Sequence, residues 1–93
     1  MDRDTIKQAL INVLAGIQSD SGYSSVEITG GTCPLENLEG FDSLIWPISI
    51  RLLVRVIGVE IPLRKNIYIS NGKKLMVDQI VEVVHQIATA RGG

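Results

Sequence analysis

Three side chains of this chain are candidates for covalent chemistry: Ser43, His85 and Cys33. Ser43 lies in Gly40-Phe41-Asp42-Ser43-Leu44, a small turn between a polar loop and the longest apolar run in the sequence. A Ser43–His85–aspartate triad can be drawn, but the glycines of a nucleophile elbow are missing and a single small core leaves no room for a substrate cleft. His85 sits between Val84 and Ile87 of an apolar helical pattern and reads as a flank residue. Cys33, the single cysteine, has no partner ligand for a metal and no activating neighbour, so it reads as a packed loop thiol. Gly30-Gly31 is too short for a phosphate loop. Ser43 is left as a hydroxyl presented to something else, with Asp42 placed to cap the helix that follows.

Composition narrows the partners. The formal net charge is −1, which gives no whole-protein field for nucleic acid or membrane. Locally, residues 42–74 hold Arg51, Arg55, Arg64, Lys65, Lys73 and Lys74 against Asp42 and Glu60, six cations to two carboxylates, net +4. Tyr68 alone falls between these cations, which is not an interleaved aromatic pattern, so nucleic acid is not expected. No apolar stretch reaches the roughly 18 residues of a membrane span, and Asp2, Arg3 and Asp4 do not open a signal peptide. A lone cysteine excludes an internal disulfide and suits a reducing compartment. The expectation is a monomeric cytoplasmic protein, one domain over residues 1–93 with flexible ends at 1–3 and 91–93.

The elements that must position Ser43 follow from periodicity. Ile6, Leu10, Val13, Leu14 and Ile17 fall at helical spacing and predict a helix from Thr5 to about Ser19, with Thr5 and Gln8 at capping-box spacing. Residues 19–41 form a long connection pinned by scattered apolar residues; Ser25-Val26-Glu27-Ile28-Thr29 alternates like a strand but also suits extended loop. From Leu44 to Ile57 the pattern fits both a strand and a helix, and a length of fourteen residues favours helix. That helix would be apolar nearly all round and so expects a partner surface as well as a core. Pro47 draws its regular start toward itself, leaving Ser43 in a turn. Gly58 supplies a C-terminal cap. Asn66 to Ile69 reads as a short helical turn or as extended chain, and Met76 to Ala90 as a firm final helix.

Asp42-Ser43-Leu44, followed eighteen residues after the serine by Ile61-Pro62 within Gly58-Val59-Glu60-Ile61-Pro62, resembles the acyl carrier protein family over about the whole chain. The resemblance implies an all-α bundle of three main helices plus one short helix with a long first loop. It also implies a 4'-phosphopantetheine arm, taken from coenzyme A, on Ser43. Asp42 would support the metal site of the phosphopantetheinyl transferase, and Leu44 completes the motif. The chain would not be an enzyme; acyl-processing enzymes would act on an acyl cargo held as a thioester. If Ser43 opens the second helix, the phosphate lies near free backbone N–H groups and the positive helix end.

Four departures shape what the resemblance implies. Family members usually carry an acidic second helix, whereas Arg51 and Arg55 make this one basic, which points to a specialised pathway with dedicated, acidic partners. Pro47 moves the helix start away from Ser43. Ile45 and Trp46 stand where relatives often have polar residues; they could line an acyl groove, anchor a partner, or belong to the core. Relatives usually place a threonine cap where Met76 stands, so a frayed start to the last helix is expected. The alternative from a different class is an unmodified carrier-like domain that acts only as an interaction module.

Overall fold

The computed structural model describes residues 2–22, 27–38, 40–42, 44–62 and 66–92. Helix α1 (Arg3–Asp20) buries the stripe Ile6, Ala9, Leu10, Val13, Leu14 and Ile17 that the spacing predicted. Its cap is Asp2, not Thr5: Asp2 Oδ1 accepts the Thr5 N–H at 2.8 Å. Hydrogen bonding by the Thr5 side chain, and next by this backbone N–H, favours the charged carboxylate and holds Asp2 below its usual range. Arg3 donates to both carboxylate oxygens of Glu82, at 2.7 and 2.9 Å. Asp2 and Arg3 are thus built into the helix start, contrary to the flexible end expected there.

Helices α3 (Trp46–Ile57) and α4 (Val77–Gly92) both pack on α1, which is their shared partner. Leu10 and Leu14 of α1, Ile50 and Leu53 of α3, and Ile80 and Val84 of α4 are sealed from solvent in one core. The radius of gyration, 12.3 Å, is about that of a compact domain of this length. The strand reading of residues 44–57 is excluded. Helical packing puts Ile50, Leu53 and Ile57 on the buried side, an arrangement that alternation cannot produce. The helix starts at Trp46, with Pro47 in its first turn where a missing N–H costs nothing. It ends at Gly58, whose φ of 71° and N–H bond to the Val54 carbonyl at 2.8 Å make a left-handed cap.

The long connection contains one short helix that periodicity does not reveal, α2 (Pro34–Asn37), where Asn37 Oδ1 accepts the Cys33 N–H at 2.7 Å. Glu27 to Thr29 is irregular rather than strand; Ser25 and Val26 lie outside the described residues. Next comes a turn closed by the Thr32 N–H on the Thr29 carbonyl at 3.1 Å. The carbonyls of Thr32 and Gly30 accept the Val77 and Asp78 N–H groups, at 2.8 and 3.0 Å. The Met76 N–H donates to Gln79 Oε1 at 2.9 Å. The first turn of α4 is therefore capped by the loop and by its own glutamine, not frayed. Gly30 lies against Asp78, and a Cβ there would meet the Asp78 carboxylate and displace that exposed side chain. At the other end α4 continues through Arg91 and Gly92, which were expected to be a tail.

Residues 66–69 do not form the short helix. After a turn at Ile67-Tyr68 the chain forms a minimal antiparallel ribbon, β1 (Ile69–Ser70) with β2 (Lys73–Lys74), pairing Ile69 with Lys74. Asn71 and Gly72 have φ of 52° and 77°, the positive pair that a two-residue hairpin demands.

Tyr68 is fully buried and ties this segment to two others. Its ring meets Phe41 edge-on at a centroid distance of 5.0 Å. Its hydroxyl lies 2.6 Å from Ser49 Oγ, whose one proton is committed to the Trp46 carbonyl, also at 2.6 Å. Tyr68 is therefore the donor to Ser49. Its own carbonyl accepts the Leu75 N–H at 2.9 Å.

Two outcomes follow from this buried pair. Ser49→Ala strands a phenol hydroxyl and Tyr68→Phe strands a serine lone pair. Each should lower stability in urea melts by about 1–3 kcal/mol, and the double variant should cost clearly less than the sum. Burial, partly offset by the Ser49 bond, also holds the Tyr68 phenol well above its usual range. The neutral phenol's contribution is complete below the unfolded value near pH 10 and is lost as pH rises beyond it. Stability of the native chain should therefore fall by up to about 1.4 kcal/mol per pH unit more than that of Tyr68→Phe above about pH 10.

Candidate functional site

The segment that carries the sequence motif runs between two buried anchors. Phe41, on its N-terminal side, is buried against Tyr68, and Ser49, on its C-terminal side, is bonded to the same tyrosine. Between them Asp42 and Leu44 are exposed, Leu44 to 77%, while Ile45 and Trp46 are half-buried against the core. Ser43, the expected attachment residue, lies outside the described residues.

Asp42 organises the turn, though not as the helix cap expected of it. Its Oδ1 accepts the Leu44 N–H at 3.0 Å, and its carbonyl accepts the Ile45 and Trp46 N–H groups at 3.1 and 3.0 Å. The residue at the helix cap is Ile45, with no side-chain bond. The physical cause is Pro47, which delays the helix and leaves the preceding N–H groups to fold back on Asp42. The free N–H groups expected to face a phosphate are consequently engaged at Leu44, Ile45 and Trp46, and Pro47 has none.

Arg51 and Arg55 are exposed one turn apart on α3. With Ile50, Val54, Glu60 and Ile61 they line an open groove of about 300 Å³ beside the helix. Its walls are mainly aliphatic and the two guanidinium groups stand at its edge. Lys73 and Lys74, also counted in the basic stretch, lie on the ribbon, and Arg64 and Lys65 lie outside the described residues. A larger groove, about 410 Å³, runs along the ribbon past Asn66, Ile69, Asn71 and Val83; among the described residues that line it none titrates and none belongs to the motif segment. Cys33 is buried and unpaired, and His85 is half-buried on α4. Among the described residues no cluster of metal-ligating side chains occurs, and no helix is long and apolar enough to cross a membrane.

Two contributions escaped the sequence reading. Ser49 has no role in the sequence reading. Its position three residues after Trp46 and four before Leu53 puts it on the buried face of a helix, and that spacing was the available signal. Tyr68 was grouped with its apolar neighbours, and nothing in the local sequence marks it as the bridge between Phe41 and Ser49. Compared with known proteins, the chain matches no family model, no curated protein and no solved structure.

The Asp42 turn gives a direct check. Asp42→Ala removes the acceptor for the Leu44 N–H and should lower stability by about 1 kcal/mol, whereas Asp42→Asn keeps a carbonyl oxygen and should stay within a few tenths. Thermal melts of the three proteins measure the difference.

Proposed function

We propose that the chain is an acyl carrier protein of an acyl-carrier-like helical bundle, with Ser43 bearing a 4'-phosphopantetheine arm. The observation that carries this reading is the pairing of Asp42-Ser43-Leu44 with Ile61-Pro62 around a single helix, α3, that packs on α1. Exposure of Asp42 and Leu44 on either side of the serine supports it, because a transferase must reach the hydroxyl.

The requirements on this chain are modest. The Ser43 hydroxyl attacks the phosphate of coenzyme A that bears the pantetheine, the phosphoanhydride bond breaks, and adenosine 3',5'-bisphosphate leaves; the serine proton goes to a base of the transferase. Asp42 keeps the turn ahead of α3 closed through its bonds to Leu44, Ile45 and Trp46. The aliphatic groove beside Arg51 and Arg55 offers a surface for cargo or for an acyl-processing enzyme. When bound, the arm supplies a thiol that carries the acyl group as a thioester. The carrier acts in the cytoplasm, as a monomer.

A second reading is supported by the exposed apolar side chains Leu44, Ile48 and Val56: a permanent interaction module that needs no arm. Incubation with coenzyme A and a broad-specificity phosphopantetheinyl transferase separates the two. Intact mass should rise by one phosphopantetheine on the native chain and stay unchanged on Ser43→Ala. Absence of any addition with transferases of both acidic and basic docking surfaces would favour the module.

A further inference from the structure

The outward side of α3 carries two parallel rows. Ile48, Leu52 and Val56 follow one another every fourth residue, and Arg51 and Arg55 form a second row three residues on from Ile48 and Leu52. Ile48 is 47% and Val56 63% exposed, Leu52 is half-buried, and Leu44, at 77%, prolongs the apolar row toward the motif turn. A globular helix ordinarily turns polar residues to solvent, and here the exposed Ile48 and Val56, with the half-buried Leu52 between them, stand there instead. No carboxylate occurs anywhere on α3 to pair with the arginines within the helix.

We propose that this face docks an acidic amphipathic helix of another protein, with apolar side chains laid along the Leu44–Ile48–Leu52–Val56 row and a row of Glu or Asp against Arg51 and Arg55. Charge selects this occupant. A second copy of the chain facing this one through α3 would bring Arg51 and Arg55 against the same residues of its twin, which opposes pairing. An anionic lipid surface would find only two cations on the face and no aromatic anchor, because Trp46 packs against the core. A helix offering carboxylates beside leucines satisfies both rows at once. The inference rests on the geometry of α3 and holds for either reading of Ser43.

The test uses the full Ser43→Ala chain, so that its outcome is independent of the arm. The probes are two fluorescent amphipathic peptides with one leucine face, flanked by glutamates in the first and by lysines in the second. Anisotropy should show binding of the glutamate peptide and at least tenfold weaker binding of the lysine peptide. Charge reversal at Arg51→Glu/Arg55→Glu should weaken the glutamate peptide on the order of tenfold and improve the lysine one. Val56→Asp should weaken both, and unchanged thermal melts would show that the variants fold. Equal affinity for the two peptides, no affinity for either, concentration-dependent self-association lost in Val56→Asp, or uptake onto phosphatidylserine vesicles in preference to the glutamate peptide would each overturn the proposal.

Discussion

Tyr68 is the residue on which the arrangement of this chain depends. From one buried position its ring packs on Phe41, its hydroxyl donates to Ser49 and its carbonyl receives the N–H of Leu75. Phe41 precedes the motif turn, Ser49 lies in the first turn of α3, and Leu75 leads into α4. The turn at residues 42–46 is therefore clamped at both ends by the same side chain. A phenol suits this role because it combines a large apolar ring with one polar atom, and Ser49 satisfies that atom where water cannot.

Around this clamp the helices are organised by α1, whose buried stripe serves both α3 and α4. The irregular segments then terminate the helices. Loop carbonyls at Gly30 and Thr32 take the first N–H groups of α4, Asn37 and Gln79 fold back on the residues that precede their helices, and Asp42 collects three N–H groups ahead of α3. Little regular structure is needed in the long connection because its polar backbone is used for capping.

The long helices were legible because their apolar spacing is strong and is confirmed by burial: Ile6, Leu10 and Leu14 in α1, Ile80 and Val84 in α4. For α3 the spacing also matched a strand, since its β-branched residues alternate; length decided correctly. Errors clustered where one hydrogen bond outweighs pattern. Asp2 captured the cap assigned to Thr5, and Pro47 diverted Asp42 from helix cap to turn. For residues 66–69, read as helical turn or extended chain, the hairpin turn at Asn71 and Gly72 leaves Ile69 in a strand. In the candidate site, the exposure of Leu44 and the half-burial of Trp46 needed the packed core to become visible. The Tyr68 link needed it too, because residues 41, 49 and 68 are joined only by tertiary structure.

The resulting molecule presents the exposed Asp42 and Leu44 next to a helix whose outward face is aliphatic and cationic. On the reading proposed above, partners would recognise the carrier through α3. The most direct test is the mass of the Ser43-containing peptide from protein isolated from its native cell. A phosphopantetheine on that peptide, with or without an acyl group, is the result this account predicts; a bare serine in every molecule would contradict it.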